Sequence, residues 1–159
     1  MIEAVISLFL GLAAWSDWQT RRIPNLLVFP FLLGGLLYQI IQGQGMTALG
    51  GMFAAFLITL LPVICKGMGM GDQKLLMAFG AWTSYVCVYQ LVLGSLVSCL
   101  VLFMLSPRTW RKLLKNMRLV VAGWYGHREV WLPAPSESAL ALPYGLHLFL
   151  AYLVLYLMG

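Results

Sequence analysis

Between Leu75 and Leu105 the chain carries no charged residue. A helix rises about 1.5 Å per residue, so one that spans a membrane needs about 20 apolar residues. The run is too long for one span and slightly short for two, which requires a tight turn, and only Thr83, Ser84 and Gln90 indicate where it lies. Charged residues make up only 9% of the chain. Soluble domains carry about a quarter, so this composition cannot cover a water-facing surface.

Further apolar stretches, separated by short polar breaks, predict an all-α membrane protein of about six transmembrane helices. The first stretch has no basic residue before it and no small-residue cleavage site after it, so we expect a retained helix rather than a signal peptide. We expect residues 1–159 to form a single integral membrane domain. The predicted helices span residues 1–16, 26–42, 46–64, 73–83, 85–105 and 139–158.

All ten lysines and arginines fall within or at the edge of three segments that separate these helices, Lys74 being at the very start of the fourth helix. The segments follow the first, third and fifth helices, so they lie on one side of the membrane. The positive-inside rule puts them in the cytoplasm and both termini outside, in an inner-membrane protein. The net charge of +5 therefore reflects membrane topology rather than a nucleic-acid surface. The residues are Arg21, Arg22, Lys66, Lys74, Arg108, Arg111, Lys112, Lys115, Arg118 and Arg128.

The last basic segment, residues 106–138, is longer than the others. Large apolar side chains recur in it at helical spacing, from Trp110 to Trp124, while basic residues occupy other positions. That pattern predicts a helix lying in the headgroup region. A plain loop that obeys the positive-inside rule is the alternative. Pro133 and Pro135 then interrupt the chain before the last helix.

Acidic residues are scarce: Asp and Glu together number five. Only Asp17 and Asp72 adjoin predicted membrane helices on the cytoplasmic side, at the end of the first helix and the start of the fourth. Ionisable groups beside a bilayer core are expensive and are candidates for function. Taken singly, Asp17 could pair with Arg21. Asp72 could interact with the helix dipole or pair with Lys74.

Each aspartate lies in a distinctive local sequence. Asp17 precedes a polar turn that ends in Ile23-Pro24-Asn25, where proline suits the first turn of the next helix. Asp72 follows three alternating glycines, which allow a second chain to approach closely. A phosphate-binding loop would need a Gly-Lys-Ser/Thr ending and a preceding strand, and neither is present. Beside the aspartates, the motifs include Ile23, Pro24, Asn25, Gly69, Gly71 and Lys74.

These residues resemble the type IV prepilin peptidase family, which are membrane aspartic peptidases of the GxGD class. The resemblance rests on Asp17 with Ile23-Pro24-Asn25, on Gly69-Met70-Gly71-Asp72-Gln73-Lys74-Leu75-Leu76, on Gly80-Ala81-Trp82 and on Pro143-Tyr144-Gly145. It implies a GxGD-type helix bundle in which Asp17 and Asp72 are the catalytic pair. The chain starts directly at the first helix, without the cysteine-paired region of the bifunctional members. The resemblance is therefore to the short, peptidase-only members, and methylation is not expected.

The resemblance also implies the substrate and the partners. The substrate would be a prepilin-like precursor with a short basic leader, a cleavage site after a small residue and an apolar helix in the bilayer. Cleavage at the cytoplasmic face would need two carboxylates sharing one proton, a water molecule and no cofactor. Pilus or secretion assembly proteins are possible partners, and nucleic acid is not expected.

Other chemistries find less support in the sequence. Three cysteines without paired spacing, and the isolated His127 and His147, do not suggest a metal site. We expect His147 to be a hydrogen-bonded packing residue and His127 to be solvated. Two further functions remain open: a small proton-coupled transporter and a non-catalytic scaffold for pilus assembly or secretion. A transporter predicts carboxylates near mid-membrane, and a scaffold predicts that both aspartates tolerate asparagine.

Overall fold

The computed structural model describes residues 2–20, 23–65, 68–105 and 144–158. Within these ranges the chain forms six α-helices and no strand, which confirms the all-α prediction. The predicted surface helix in 106–138, and the predicted start of the last helix at 139, lie outside the described residues. The helices are α1 (Ile2–Thr20), α2 (Asn25–Ile41), α3 (Gly45–Ile64), α4 (Met70–Trp82), α5 (Tyr85–Leu105) and α6 (Tyr144–Met158).

The described part before residue 99, together with α6, belongs to one compact unit. Residues 99–142 belong to a second unit, of which only the end of α5 is described. The uncharged run breaks between Trp82 and Tyr85, where α4 ends and α5 begins. The predicted tight turn at Thr83 and Ser84 is therefore confirmed.

The helices differ in length and apolar character. Among the described residues, α3 alone is long and apolar enough to cross a membrane unaided, with a mean hydropathy of 2.1. Three shorter apolar helical segments accompany it, at Asn25–Ile41, Tyr85–Val101 and Tyr144–Leu157. The two helices that carry the aspartates are the least apolar of the set: α1 also carries Glu3, and α4 also carries Lys74.

Helix α4 packs against both α2 and α3 and buries most of its length. It crosses α3 at Gly51 and Gly80, where the two backbones touch. A methyl group added at Gly80 would lie 2.5 Å from the carbonyl oxygen of Gly51, and one at Gly51 would collide with Gly80. Small residues allow two helices to approach this closely. The crossing therefore fixes α4, and with it Asp72, against α3.

Trp82 holds the other end of α4 against α2. Its indole N–H donates to the carbonyl of Phe31 at 2.8 Å, and the buried Gln39 side chain donates to the Trp82 carbonyl at 3.0 Å. The ring of Phe31 in turn stacks on Phe9 of α1 at a centroid distance of 3.6 Å. These contacts satisfy polar groups that would be costly to bury unpaired. They link α4 through α2 to α1.

Helix α1 packs chiefly along α6. Its buried face includes Ile6, Phe9, Leu10 and Ala13, which join the same apolar core as Leu75 and other residues of α4. That face continues to Asp17 in the last turn of the helix. The apolar periodicity that buries α1 therefore also turns a carboxylate inward.

Candidate active site

Asp17 lies in the last turn of α1 and is only 7% exposed. Its Oδ2 accepts a hydrogen bond from the backbone N–H of Gly145 at 2.8 Å. Gly145 is in the first turn of α6, where backbone N–H groups have no partner within the helix and the helix dipole is positive. The terminus of α6 therefore provides a donor and a favourable field for a negative charge on Asp17.

Gly145 also lets α6 come close to the carboxylate. A methyl group at this position would lie 3.0 Å from Asp17 Oδ2 and 3.2 Å from Asp17 Cβ, which is tighter than normal packing. Gly145 was selected from sequence as a motif residue beside Pro143 and Tyr144. The structure brings it into direct contact with Asp17, whereas Pro143 lies outside the described residues.

Asp72 lies in the first turn of α4, which begins after an extended Gly69. The backbone N–H of Asp72 donates to the Gly69 carbonyl at 3.2 Å. A methyl group on Gly69 would lie 3.2 Å from Asp72 Oδ2, so this glycine leaves space for the carboxylate. Gly69 thus shapes the turn that presents Asp72.

The two aspartates line one pocket of about 280 Å³. It also contains most of the residues that the motifs singled out; its described lining is Asp17, Ile23, Asn25, Gly69, Gly71, Asp72 and Lys74. The connection between α1 and α2 contributes Ile23, and Asn25 begins α2. Residues far apart in the sequence therefore meet around the two carboxylates.

Lys74 does not take up the ion pair with Asp72 that was considered from sequence. Its Nζ donates to Asn25 Oδ1 at 3.2 Å and lies 5.7 Å from the centre of the Phe29 ring. These contacts tie α4 to the start of α2. The other pairing considered, between Asp17 and Arg21, involves a residue outside the described part of the chain.

The electrostatics of the pocket act most strongly on Asp72, which precedes the predicted membrane span 73–83. Burial of the carboxyl, and to a lesser extent the nearby charge of Asp17, raise the pKa of Asp72 from 3.8 to about 6, against a smaller lowering by the backbone of Gly69. A buried carboxyl beside a second carboxylate resists ionisation, because two negative charges are costly together. The pair therefore retains a proton at pH values where isolated carboxyls have lost theirs.

Pro24 lies next to the pocket lining rather than in it. Its φ and ψ of −68° and 132° are extended, and its carbonyl accepts the N–H groups of Leu27 and Val28. It is therefore the residue that caps α2, one position earlier than the first-turn placement expected from sequence. The fixed φ of proline still suits this entry into a helix.

Among the described residues, no group of three or more His, Cys, Asp or Glu side chains could hold a metal ion. The thiols of Cys65, Cys87 and Cys99 are free. His147 is buried, and its Nδ1 lies 3.1 Å from Ser98 Oγ. The expectation of a hydrogen-bonded packing histidine is confirmed.

Two polar contacts between α5 and α6 were not anticipated from sequence. Ser95 Oγ and the Tyr144 hydroxyl lie 2.7 Å apart, one turn from the pair formed by Ser98 and His147. Ser95 is fully buried. The available signal was the pair of serines three positions apart in an otherwise apolar helix, because polar groups inside such helices usually have a partner.

The chain matches the type IV leader peptidase family over residues 4–105. It is 31% identical over 113 residues to a prepilin leader peptidase/N-methyltransferase of Dickeya chrysanthemi, covering 65% of this chain and 40% of that protein. It is 30% identical over 122 residues to a prepilin leader peptidase/N-methyltransferase of Aeromonas salmonicida, covering 68% of this chain and 42% of that protein. No solved structure matches the chain.

These matches and the six described helices together define the class of this chain: it is an all-α protein related to leader peptidases. The chain belongs to the type IV leader peptidase family. It spans about two fifths of the length of the curated relatives that it matches. The family was the one that the two aspartate motifs indicated.

Proposed function

We propose that this chain is an aspartic endopeptidase that removes the leader peptide from prepilin-like precursors at the cytoplasmic face of the inner membrane. One observation carries the proposal: Asp17 and Asp72 line the same pocket and interact electrostatically. Two carboxylates that share one proton can activate water and polarise a peptide carbonyl without a metal or a covalent intermediate. The names of the relatives support a prepilin leader as the substrate.

The surroundings of the two carboxylates support different roles for them. Asp17 accepts the Gly145 N–H at the positive end of α6, a donor positioned to stabilise negative charge on this carboxylate. Asp72 lies in the environment that favours the protonated form. Asp17 is therefore the base that takes a proton from the attacking water. Asp72 is the acid that hydrogen-bonds the scissile carbonyl oxygen and then helps to protonate the leaving amine.

The pocket lining suits an extended peptide with a small residue at the cut. Gly69 and Gly71 contribute no side-chain bulk beside Asp72, so a substrate backbone can come close to the carboxylate. Asn25 and Lys74 add polar groups on the same wall. A basic leader would add positive charge next to a site whose carboxylates carry negative charge.

A membrane setting is supported by the exposed apolar surface. Trp15 and Trp18, on either side of Asp17, are each 65% exposed. Tryptophans are enriched at membrane–water interfaces, so their exposure suits a location of Asp17 at the headgroup level. The exposed apolar side chains of α3, such as Phe53 and Leu61, suit contact with lipid rather than water. Together with the positive-inside pattern, this arrangement supports an active site on the cytoplasmic side and both termini outside.

The test is co-expression of the chain with a prepilin-like precursor, followed by the size of the precursor on a gel. We expect Asp17→Asn and Asp72→Asn each to abolish cleavage while the variants still insert in the membrane fraction. Glu3→Gln is the matched control, because it neutralises the remaining described acid at the opposite end of α1 and should leave cleavage unchanged.

The outcomes separate the alternatives. Substantial processing by either aspartate variant would refute the peptidase assignment. A scaffold role would be indicated by a chain that never cleaves a precursor and is still required for pilus assembly. Assembly should then also proceed with Asp17→Asn and with Asp72→Asn. Proton-coupled uptake that depends on both aspartates would indicate a transporter.

A further inference from the structure

The first turn of α6 is attached to α5 through two buried polar contacts. Tyr144 and His147, three residues apart, meet Ser95 and Ser98, which are also three residues apart. Gly145 lies between Tyr144 and His147 in the sequence, and its N–H is directed at Asp17 on the other side of the turn. The position of that donor is therefore set from α5 as well as from α1.

Each serine hydroxyl hydrogen can be assigned to a single hydrogen bond. Ser95 Oγ donates to the Val92 carbonyl at 2.7 Å, so the Tyr144 hydroxyl is the donor to Ser95. Ser98 Oγ donates to the Ser95 carbonyl at 3.1 Å, so His147 Nδ1 carries the hydrogen that Ser98 accepts. In both cases a donor on α6 bonds a serine hydroxyl of α5, and that hydroxyl in turn donates to a backbone carbonyl of α5.

The orientation of the His147 ring depends on its contact with Ser98. Within the described part of the chain, its buried Nε2 has no hydrogen-bond partner. The bond to Ser98 is thus the one that orients the imidazole there. Close packing adds to the attachment, because a methyl group at Gly94 would lie 3.1 Å from Ala151 Cβ. Helix α6 is held by α5 along this face.

We propose that Ser95 and Ser98 are positioning residues that hold the first turn of α6 so that the Gly145 N–H meets Asp17. They act through Tyr144 and His147 and do not touch the reacting groups. The inference rests on the proposed function, since it assigns the two contacts to the geometry of the catalytic pair. A merely structural role would stabilise the helix packing without affecting the charge on Asp17.

The expected change in the pH profile of cleavage follows from the Gly145 N–H, which donates to Asp17. A hydrogen bond to a carboxylate favours its ionised form, so misplacing the Gly145 N–H requires a higher pH to ionise the pair. Among the described residues, the other titratable groups facing Asp17 are Asp72 and Lys74, which line its pocket from α4, and His147 of α6. Ser95→Ala changes none of these groups directly, because it acts through Tyr144.

The experiment measures kcat, KM and the pH dependence of kcat/KM for cleavage of a prepilin-like peptide by the purified full chain in detergent. For Ser95→Ala and Ser98→Ala we expect kcat to fall by about tenfold at a KM within about twofold of wild type. The acid limb of kcat/KM should move upward by roughly half to one pH unit in both variants. Ser98→Thr, which keeps the hydroxyl, should have the same kcat and the same acid limb of kcat/KM as the wild type.

Thr59→Val is the matched control. Thr59 is a buried hydroxyl residue whose bonds, to the carbonyls of Ala55 and Phe56, stay within α3. It should lower the unfolding temperature without moving the pH profile. If the serine variants behave like this control, the two contacts only stabilise packing and the inference is wrong. A shift in Ser98→Ala alone would point to titration of His147 and would also overturn it.

Failure of the proposed function gives a different result. A wild-type chain that does not cleave, or an Asp17→Asn variant that does, refutes the peptidase assignment before the serines are considered. A cleaving wild type with an inactive Asp17→Asn, together with serine variants of unchanged kcat and pH profile, refutes only the positioning role. If either alanine variant fails to accumulate, the comparison of Ser98→Thr with Ser98→Val keeps the test decisive.

Discussion

Replacement of Gly145 by alanine tests the hydrogen bond between its backbone N–H and the Asp17 carboxylate. The added methyl group would lie 3.0 Å from Asp17 Oδ2 and 3.4 Å from Cγ, so the carboxylate must move by a few tenths of an ångström. Asp17 is buried, and the same movement lengthens its 2.8 Å bond to the residue 145 N–H. A hydrogen bond to a charged group contributes about 1.5–3 kcal/mol.

Loss of that contribution sets the expected size of the effect. One factor of ten in rate corresponds to about 1.4 kcal/mol, so Gly145→Ala should lower kcat by roughly tenfold to a hundredfold. Stability should also fall, by about 1–2 kcal/mol, because the lost hydrogen bond outweighs the gain of up to about 1 kcal/mol from alanine in a helix. The assay is cleavage of a prepilin-like peptide, with the unfolding temperature measured on the same preparation.

Gly50→Ala is the matched control for this substitution. Gly50 lies in α3, and a methyl group there would meet no atom within 4 Å. The variant should keep its kcat and unfold at the same or a higher temperature. If Gly145→Ala keeps kcat within about twofold of wild type, the Gly145 hydrogen bond does not support the catalytic pair and the reasoning fails.

Two further predictions concern the α3–α4 crossing and the proton on Asp72. Gly51→Ala should destabilise the chain by about 1–3 kcal/mol, because its methyl group would meet the Gly80 backbone; an unfolding temperature equal to that of Gly50→Ala would contradict this. The pH dependence of kcat/KM reports the ionisation of the free enzyme, so kcat/KM should fall by about tenfold per pH unit as the pH rises above the Asp72 pKa of about 6. A constant kcat/KM between about pH 5 and 8 would count against a protonated Asp72 as the acid. Because the folded pKa is raised from 3.8, the unfolded chain releases this proton first. The contribution of Asp72 to stability is therefore greatest below the unfolded pKa and decreases as the pH rises towards about 6, a dependence that Asp72→Asn should remove from the unfolding temperature.

The helices and the aspartates were predictable because each leaves a local signal. Apolar runs bounded by polar breaks locate the helices to within a few residues. The glycines before Asp72 and the Ile-Pro-Asn after Asp17 single out two carboxylates in a chain with few acids. Both signals depend on residue type and spacing alone, so one sequence is enough to find them.

The contacts that join distant helices left no such signal. The bond between Gly145 and Asp17 links residues 128 positions apart through a backbone N–H, a group that every residue except proline possesses. The donation from Lys74 to Asn25 replaces an ion pair that sequence proximity to Asp72 made equally plausible. Which partner a side chain takes depends on helix packing, and the packing follows from contacts such as the one between Gly51 and Gly80.

The backbone contact between α3 and α4 has a mechanical consequence. With no side chains between them at Gly51 and Gly80, these two helices have little room to change their packing, so the crossing sets the position of α4 on α3. Asp17 rides instead on α1, which lies mainly along α6 and touches α4 only briefly. The two aspartates therefore lie on helices whose main packing partners differ. The separation of the two carboxylates is set by how the α1–α6 pair and the α3–α4 pair pack within one compact unit, rather than by any single helix contact.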